Sequence, residues 1–81
     1  MNGIDDEFYS TPDLEEGSVK RAIIENAKKT YILADDSKIG VTSFVKVAPI
    51  KRAMIITNQC DPQRLKVLKE KTEVIEVWFI Q

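Results

Sequence analysis

Eighty-one residues make one domain at most, and a chain this short buries only about 60–65% of its unfolded surface, so its core is small. One cysteine and no histidine exclude an intrachain disulfide, serine–histidine and cysteine–histidine nucleophiles and histidine-ligated zinc, leaving carboxylates, lysines and tyrosines for any acid–base chemistry. The net charge of −1 is unevenly spread: Asp5, Asp6, Glu7, Asp13, Glu15 and Glu16 crowd the first sixteen residues, while all twelve bases follow.

That basic remainder lacks the aromatic interleaving and motif of a nucleic-acid-binding domain. The start, MNGIDDEFYS, has neither the basic nor the apolar region of a signal peptide, and the longest apolar run, VWFI, is far too short to span a bilayer. With a lone thiol, Cys60, these features suggest a soluble protein of a reducing compartment, the cytoplasm, with no membrane contact. No cofactor motif is present, and no cofactor or metal is expected.

In chain order, Gly3, Ser10 and Pro12 break any period, so residues 1–12 are expected to form a loop. TPDLEE signals a helix start: Thr11 or Asp13 can cap, Pro12 suits the entry, and Asp13 with Glu16 has capping-box spacing. The helix is expected over 13–29, with Val19, Ala22, Ile23, Asn26 and Ala27 on one mostly apolar face and Lys28 and Lys29 at its negative end. Gly17 costs it about 1 kcal/mol relative to alanine. TYILA predicts a buried strand over 30–34, RAMIIT one over 52–58, and EVIEVWFI a third over 73–79. SFVKVAPI, between the first two, is a turn, a short helix or a short extended piece, and Pro49 argues against a central strand. Asp61 and Pro62 open a helix over 62–71 whose lysines form a solvated face. Cys60 is expected to be a small buried or half-buried side chain rather than a nucleophile, and Trp78 and Phe79 core or subunit contacts.

The order suggests an α/β chain with a parallel sheet of about three strands, covered by one or two helices in layers. Ligands of such sheets bind beyond the carboxyl ends of the strands. Those ends are Asp35-Asp36-Ser37-Lys38 and Thr57-Asn58-Gln59. Lys38 offers a mobile cation matched to phosphate, Ser37 a hydroxyl, Gly40 a close-approaching backbone, and Asp35 an acceptor for sugar hydroxyls or a partner for Lys38. The same residues are common turn formers, so spacing alone leaves a plain turn and an anion site both open.

Residues from Gly3 to about Val77 resemble the C-terminal effector domain of the DeoR-type bacterial repressors. Those domains carry Glu-x-x-Val-Lys on a helix, an Asp-x-Ser-Lys-x-Gly turn, Val-Ala-Pro, and a strand ending in Thr-Asp. The matches are Glu16, Val19 and Lys20; Asp35, Ser37, Lys38 and Gly40; Val47, Ala48 and Pro49; and Thr57. Ile39 stands in place of an aromatic residue and Asn58 in place of the aspartate. The family is similar in fold to ribose-5-phosphate isomerase and glucosamine-6-phosphate deaminase, and the isomerases carry a like turn whose lysine meets the sugar phosphate.

The resemblance implies that Lys38, with Ser37, Asp35, Gly40, Lys20 and Thr57, binds a phosphorylated sugar. The isomerase's glutamate base falls at about Lys20, and a lysine does not replace a carboxylate there at neutral pH. Sensing without catalysis is therefore implied, in a homo-oligomeric repressor that meets DNA through an N-terminal helix-turn-helix. Neither that segment nor the family's glycine–threonine phosphate loop is among these residues, so the chain is expected to be a partial domain, 1–81, with uncovered sheet edges. An isomerase- or deaminase-type enzyme would need Glu16 or Asp36 as its base. A phosphoacceptor receiver would need an acid within IGVTSFVKVAPI, which has none.

Overall fold

The computed structural model describes residues 1–78. Its strands and helices run β1 (Gly3–Ile4), β2 (Phe8–Thr11), α1 (Leu14–Asn26), β3 (Tyr31–Leu33), β4 (Val45–Pro49), β5 (Met54–Asn58), α2 (Pro62–Lys71) and β6 (Val74–Val77). This is a mixed α/β domain with two helices and two three-stranded sheets, ordered β1-β2-β4 and β3-β5-β6. The second is parallel throughout, pairing Leu33 with Ile56 and Asn58 with Val77. The first is antiparallel, so a single parallel layer describes only half of the fold.

The expected loop over 1–12 is instead a hairpin. Asp5 is the reason: its Oδ1 accepts from the amides of Glu7 and Phe8 at 2.8 and 2.7 Å, and its Oδ2 accepts from the Thr42 hydroxyl at 2.9 Å. That turn delivers Ile4 and Tyr9 into the core, both fully buried. The Tyr9 hydroxyl reaches the carbonyls of Ile50 and Ala53 at 3.0 and 2.8 Å. Gly3 fits because a Cβ there would lie 2.5 Å from the Val41 carbonyl oxygen.

Asp13 caps α1 by accepting from the Glu15 amide at 3.0 Å. The helix stops at Asn26 rather than at 29, because Ala27 turns extended to feed β3; Lys28 and Lys29 lie beyond it. The expected apolar face is not the buried one either: Val19 and Ile23 are 57% and 59% exposed, while Gly17 and Ile24 face inward. Gly17 lets α1 approach β4 and β2, where a Cβ would sit 2.9 Å from Val45 Cγ1 and 3.2 Å from Thr11 Cγ2. Arg21 fastens the same contact, its Nε donating to the Val47 carbonyl at 3.2 Å and Nη2 to that of Lys46. The first helix thus packs on the antiparallel sheet.

SFVKVAPI becomes the edge strand β4, where Pro49 is tolerated at the terminus. A short 3₁₀ turn, Ile50–Arg52, follows, so β5 begins at Met54 rather than 52. In α2, Asp61 caps by accepting from the Gln63 amide at 2.9 Å and Pro62 takes the first position. Leu65 and Leu68 enter the core with Ile32, Ile50 and Ile55, and Cys60 packs half-buried against it. Lys69 pairs with Glu76 at 3.2 Å. Trp78 is 78% exposed, so it is not a core residue in this chain, and Phe79 lies outside the described residues. Among the described residues no helix is long and apolar enough to cross a membrane.

Candidate functional site

β3 and β5 run side by side, so their carboxyl ends lie together. The chain leaves β3 through Ala34, whose amide still donates to the Ile56 carbonyl at 3.0 Å, and enters a 3₁₀ turn, Asp36–Lys38. Asp35 caps that turn: its Oδ1 accepts from the Ser37 amide at 2.9 Å and from the Ser37 hydroxyl. These bonds from Ser37, hydroxyl first and amide second, hold the Asp35 carboxyl below its ordinary range. Asp35 is therefore bonded to Ser37 and not to Lys38.

Two side chains from other elements grip the turn. Asn58, at the end of β5, accepts from the Asp36 amide at 2.7 Å and donates to Asp36 Oδ1 at 3.0 Å. Arg64, from α2, donates through Nη2 to the carbonyls of Asp36 and Ile39 at 2.8 and 2.7 Å, and its Nη1 stands 3.9 Å from Asp36 Oδ2. Beyond the turn Gly40 takes φ +86°, a conformation glycine adopts at little cost, and its amide donates to the Ile4 carbonyl at 2.7 Å. That amide is engaged inside the protein rather than turned toward a ligand.

Lys20 projects from α1 and pairs with Glu16 at 2.8 Å, one turn earlier. It lines a cleft of about 220 Å³ between α1 and β3, with Met1, Ile23, Ile24 and residues 30–33. Burial first, and then the charges of Lys20 and, more weakly, Lys38, hold the Met1 amino group below its ordinary range, against an opposing pull from Glu16. Lys38 is half-buried, and no hydrogen bond or ion pair holds its ammonium among the described residues.

Thr57 is 0% exposed, with its hydroxyl buried and unpartnered, so it is an interior residue rather than one on the surface of the turn. The structure brings Asp35, Ser37 and Lys38 together on one turn, puts Lys20 on a cleft between α1 and β3, and leaves Thr57 buried in β5. Sequence reasoning missed Arg64, which reads as one more base on a solvated helix, and Thr30, whose buried, unpartnered hydroxyl belongs to a residue lining the cleft. Among the described residues no group of three potential metal ligands converges.

Residues 1–59 match the family model of the DeoR C-terminal sensor domain, and the chain belongs to that family. It is similar to three regulators of Bacillus subtilis (strain 168). One, described as an uncharacterized HTH-type transcriptional regulator, FruR, is 40% identical over 90% of this chain and 30% of its own length. The HTH-type transcriptional repressor GlcR is 34% identical over 89% of the chain and 28% of its own. The HTH-type transcriptional regulator IolR is 44% identical over 58% of the chain and 19% of its own. The chain thus spans less than a third of the length of these relatives. No solved structure matches it.

Proposed function

We propose that the chain is the effector-sensing part of a cytoplasmic transcriptional repressor of sugar metabolism, taking a phosphorylated sugar at the carboxyl edge of its parallel sheet without turning it over. The observation that carries this reading is the ammonium of Lys38, half-buried on the turn after β3 and held by no hydrogen bond or ion pair among the described residues, with Lys20 lining the cleft beside β3. Two flexible ammonium groups suit a dianionic phosphate as point charges. Ser37 and Asp35 offer hydroxyl and carboxylate contacts for the sugar, and Gly40 sets the path of the loop. Thr57, at the end of β5, is kept in the effector set as a buried hydroxyl without a partner. The architecture is taken to be part of a sugar-phosphate isomerase-like fold.

Catalysis is disfavoured by the state of the candidate bases. The hydrogen bond and charge of Lys20 hold the Glu16 carboxyl below its ordinary range, which weakens it as a base. Asp36 is bonded by Asn58 and faces Arg64. DNA is met through a helix-turn-helix segment outside these residues, consistent with the HTH-type relatives. Self-association into a homo-oligomer is supported by Leu33, Phe44 and Trp78, which are 66%, 90% and 78% exposed.

Thermal unfolding of the chain against a panel of sugar phosphates and their unphosphorylated sugars tests the sensing reading. A cognate phosphate at about 100 times its dissociation constant stabilises by about 2.7 kcal/mol, raising Tm by roughly 10 °C or more. The free sugar gives no shift, and Lys38→Met abolishes it. A panel without a single shift, or equal shifts from phosphorylated and free sugar, rejects the proposal.

A further inference from the structure

A 3₁₀ turn is a weak support for a binding group. Its internal bonds have poor geometry and it is rarely longer than one turn. Here the bonds run from the Lys38 amide to the Asp35 carbonyl and from the Ile39 amide to the Asp36 carbonyl, both 3.1 Å, with a longer one from the Val41 amide to the Lys38 carbonyl at 3.3 Å. The Asp35 cap adds bonds to the Ser37 amide and hydroxyl, but all of these lie within residues 35–41. They shape the turn without fixing it on the rest of the domain, and an anion would have to order it there on binding.

Arg64 changes that. Its Nη2 reaches the carbonyl of Asp36, at the start of the turn, and that of Ile39, just past its end. The two acceptors bracket Ser37 and Lys38, so one guanidinium nitrogen fixes the span on which both are carried. Nη1 faces the Asp36 carboxylate at 3.9 Å, and Asn58 holds the other oxygen of that carboxylate at 3.0 Å. The clamp therefore joins the turn to α2 on one side and to β5 on the other. Arg64 sits in the first turn of α2, behind Asp61 and Pro62, where its backbone is set by the cap.

We propose that Arg64 is a positioning residue for anion binding: it holds the Asp36–Ile39 backbone so that Lys38 and Ser37 stand ready for a phosphate, without touching the ligand itself. The proposal rests on the phosphorylated-effector reading above and adds the element that preorganises it. A lysine at this position keeps the charge but lacks the rigid planar fork, so charge and clamp separate in the laboratory.

Three variants of the 81-residue chain decide the matter: Arg64→Gln, Arg64→Lys, and Lys66→Gln, which removes a charge from the same helix away from the turn. Inorganic phosphate is the probe, titrated by NMR, together with amide hydrogen exchange of Asp36, Lys38 and Ile39 in the ligand-free chain. Both Arg64 variants are expected to speed exchange at these amides and weaken phosphate binding by about tenfold, with α2 and core amides unchanged, while Lys66→Gln stays within about twofold of the parent. Wild-type affinity in Arg64→Lys, or an equal loss in Lys66→Gln, would show that bulk charge alone matters and overturn the assignment. Unchanged exchange at the turn in Arg64→Gln would overturn it as well. If the parent chain binds no phosphate, the sensing reading falls, and the exchange comparison still decides whether Arg64 holds the turn.

Discussion

The side-chain amide of Asn58 closes a two-bond ring with Asp36, accepting from its backbone amide at 2.7 Å and donating to its carboxylate at 3.0 Å. This ring fixes where the chain goes after leaving β3, because it ties the exit of one parallel strand to the end of its neighbour. Asn58 stands where the family resemblance has an aspartate; beside the Asp36 carboxylate a second acid would lose the donated bond and add repulsion. Asn58→Asp should therefore cost about 1 kcal/mol at neutral pH. The pair then holds a carboxyl with a raised pKa, so the lost stability returns as pH falls and a proton replaces the amide donor. Urea denaturation of parent and variant at neutral and mildly acidic pH measures both effects.

Gly17 should resist substitution although it sits inside a helix. Alanine would favour α1 by about 1 kcal/mol through propensity alone. Its Cβ, however, would meet Val45 Cγ1 at 2.9 Å and Thr11 Cγ2 at 3.2 Å, and both side chains are β-branched and stiff. Overpacking costs typically 1–3 kcal/mol, on the order of the gain or more. The expected outcome for Gly17→Ala is a net loss of roughly 1 kcal/mol in chemical denaturation.

Tyr9→Phe should be tolerated at modest cost. The hydroxyl serves the carbonyls of Ile50 and Ala53, yet neither is left bare without it: Ile50 also accepts from the Ala53 amide at 3.3 Å, and Ala53 from the Thr72 hydroxyl at 2.6 Å. A loss of about 1 kcal/mol is expected, with the fold kept, as equilibrium denaturation with a far-UV spectrum can establish. Burial pushes the Tyr9 phenol up, so the parent should show a tyrosine that resists alkaline ionisation while folded.

Acid should unfold the chain through specific carboxylates. Hydrogen bonds hold Asp35, Glu16 and Glu76 below their ordinary range, from Ser37, Lys20 and Lys69 respectively. At Asp5, partial burial opposes, but the amides of Phe8 and Glu7 outweigh it. A group whose folded pKa is depressed contributes stability that is full above its unfolded value, about 4, and lost as pH falls through the folded one. Stability measured from about pH 6 to about pH 2 should fall below about pH 4, and Asp5→Asn should flatten part of that decline.

The parallel strands and α2 were legible because their signals are local: continuous apolar triplets in TYILA and RAMIIT, and Asp61-Pro62 at a helix start. The N-terminal hairpin was not, because β1 has two residues and its two strands rely on partners far along the chain, Gly40 bonding Ile4 and Ser43 bonding Ser10. The face of α1 was misjudged for a related reason. Periodicity marks Val19 and Ile23 as apolar, but the sheet approaches where a glycine permits it, and Gly17 lies elsewhere on the helix. Lys38 was singled out by its resemblance to a known turn, since spacing alone favoured an ordinary loop. Arg64 carried no signal, because in a run of exposed bases only coordinates show which one bends back to a carbonyl.

The bond from the Gly40 amide to the Ile4 carbonyl, with Ile4 and Ile39 bridged in parallel, joins the loop after β3 directly to the first strand of the other sheet. The stretch from Asp35 to Gly40 is thus a joint between the two halves of the domain, with α2 bolted to it by Arg64. Substitutions that disturb this joint should therefore loosen both sheets together rather than one alone.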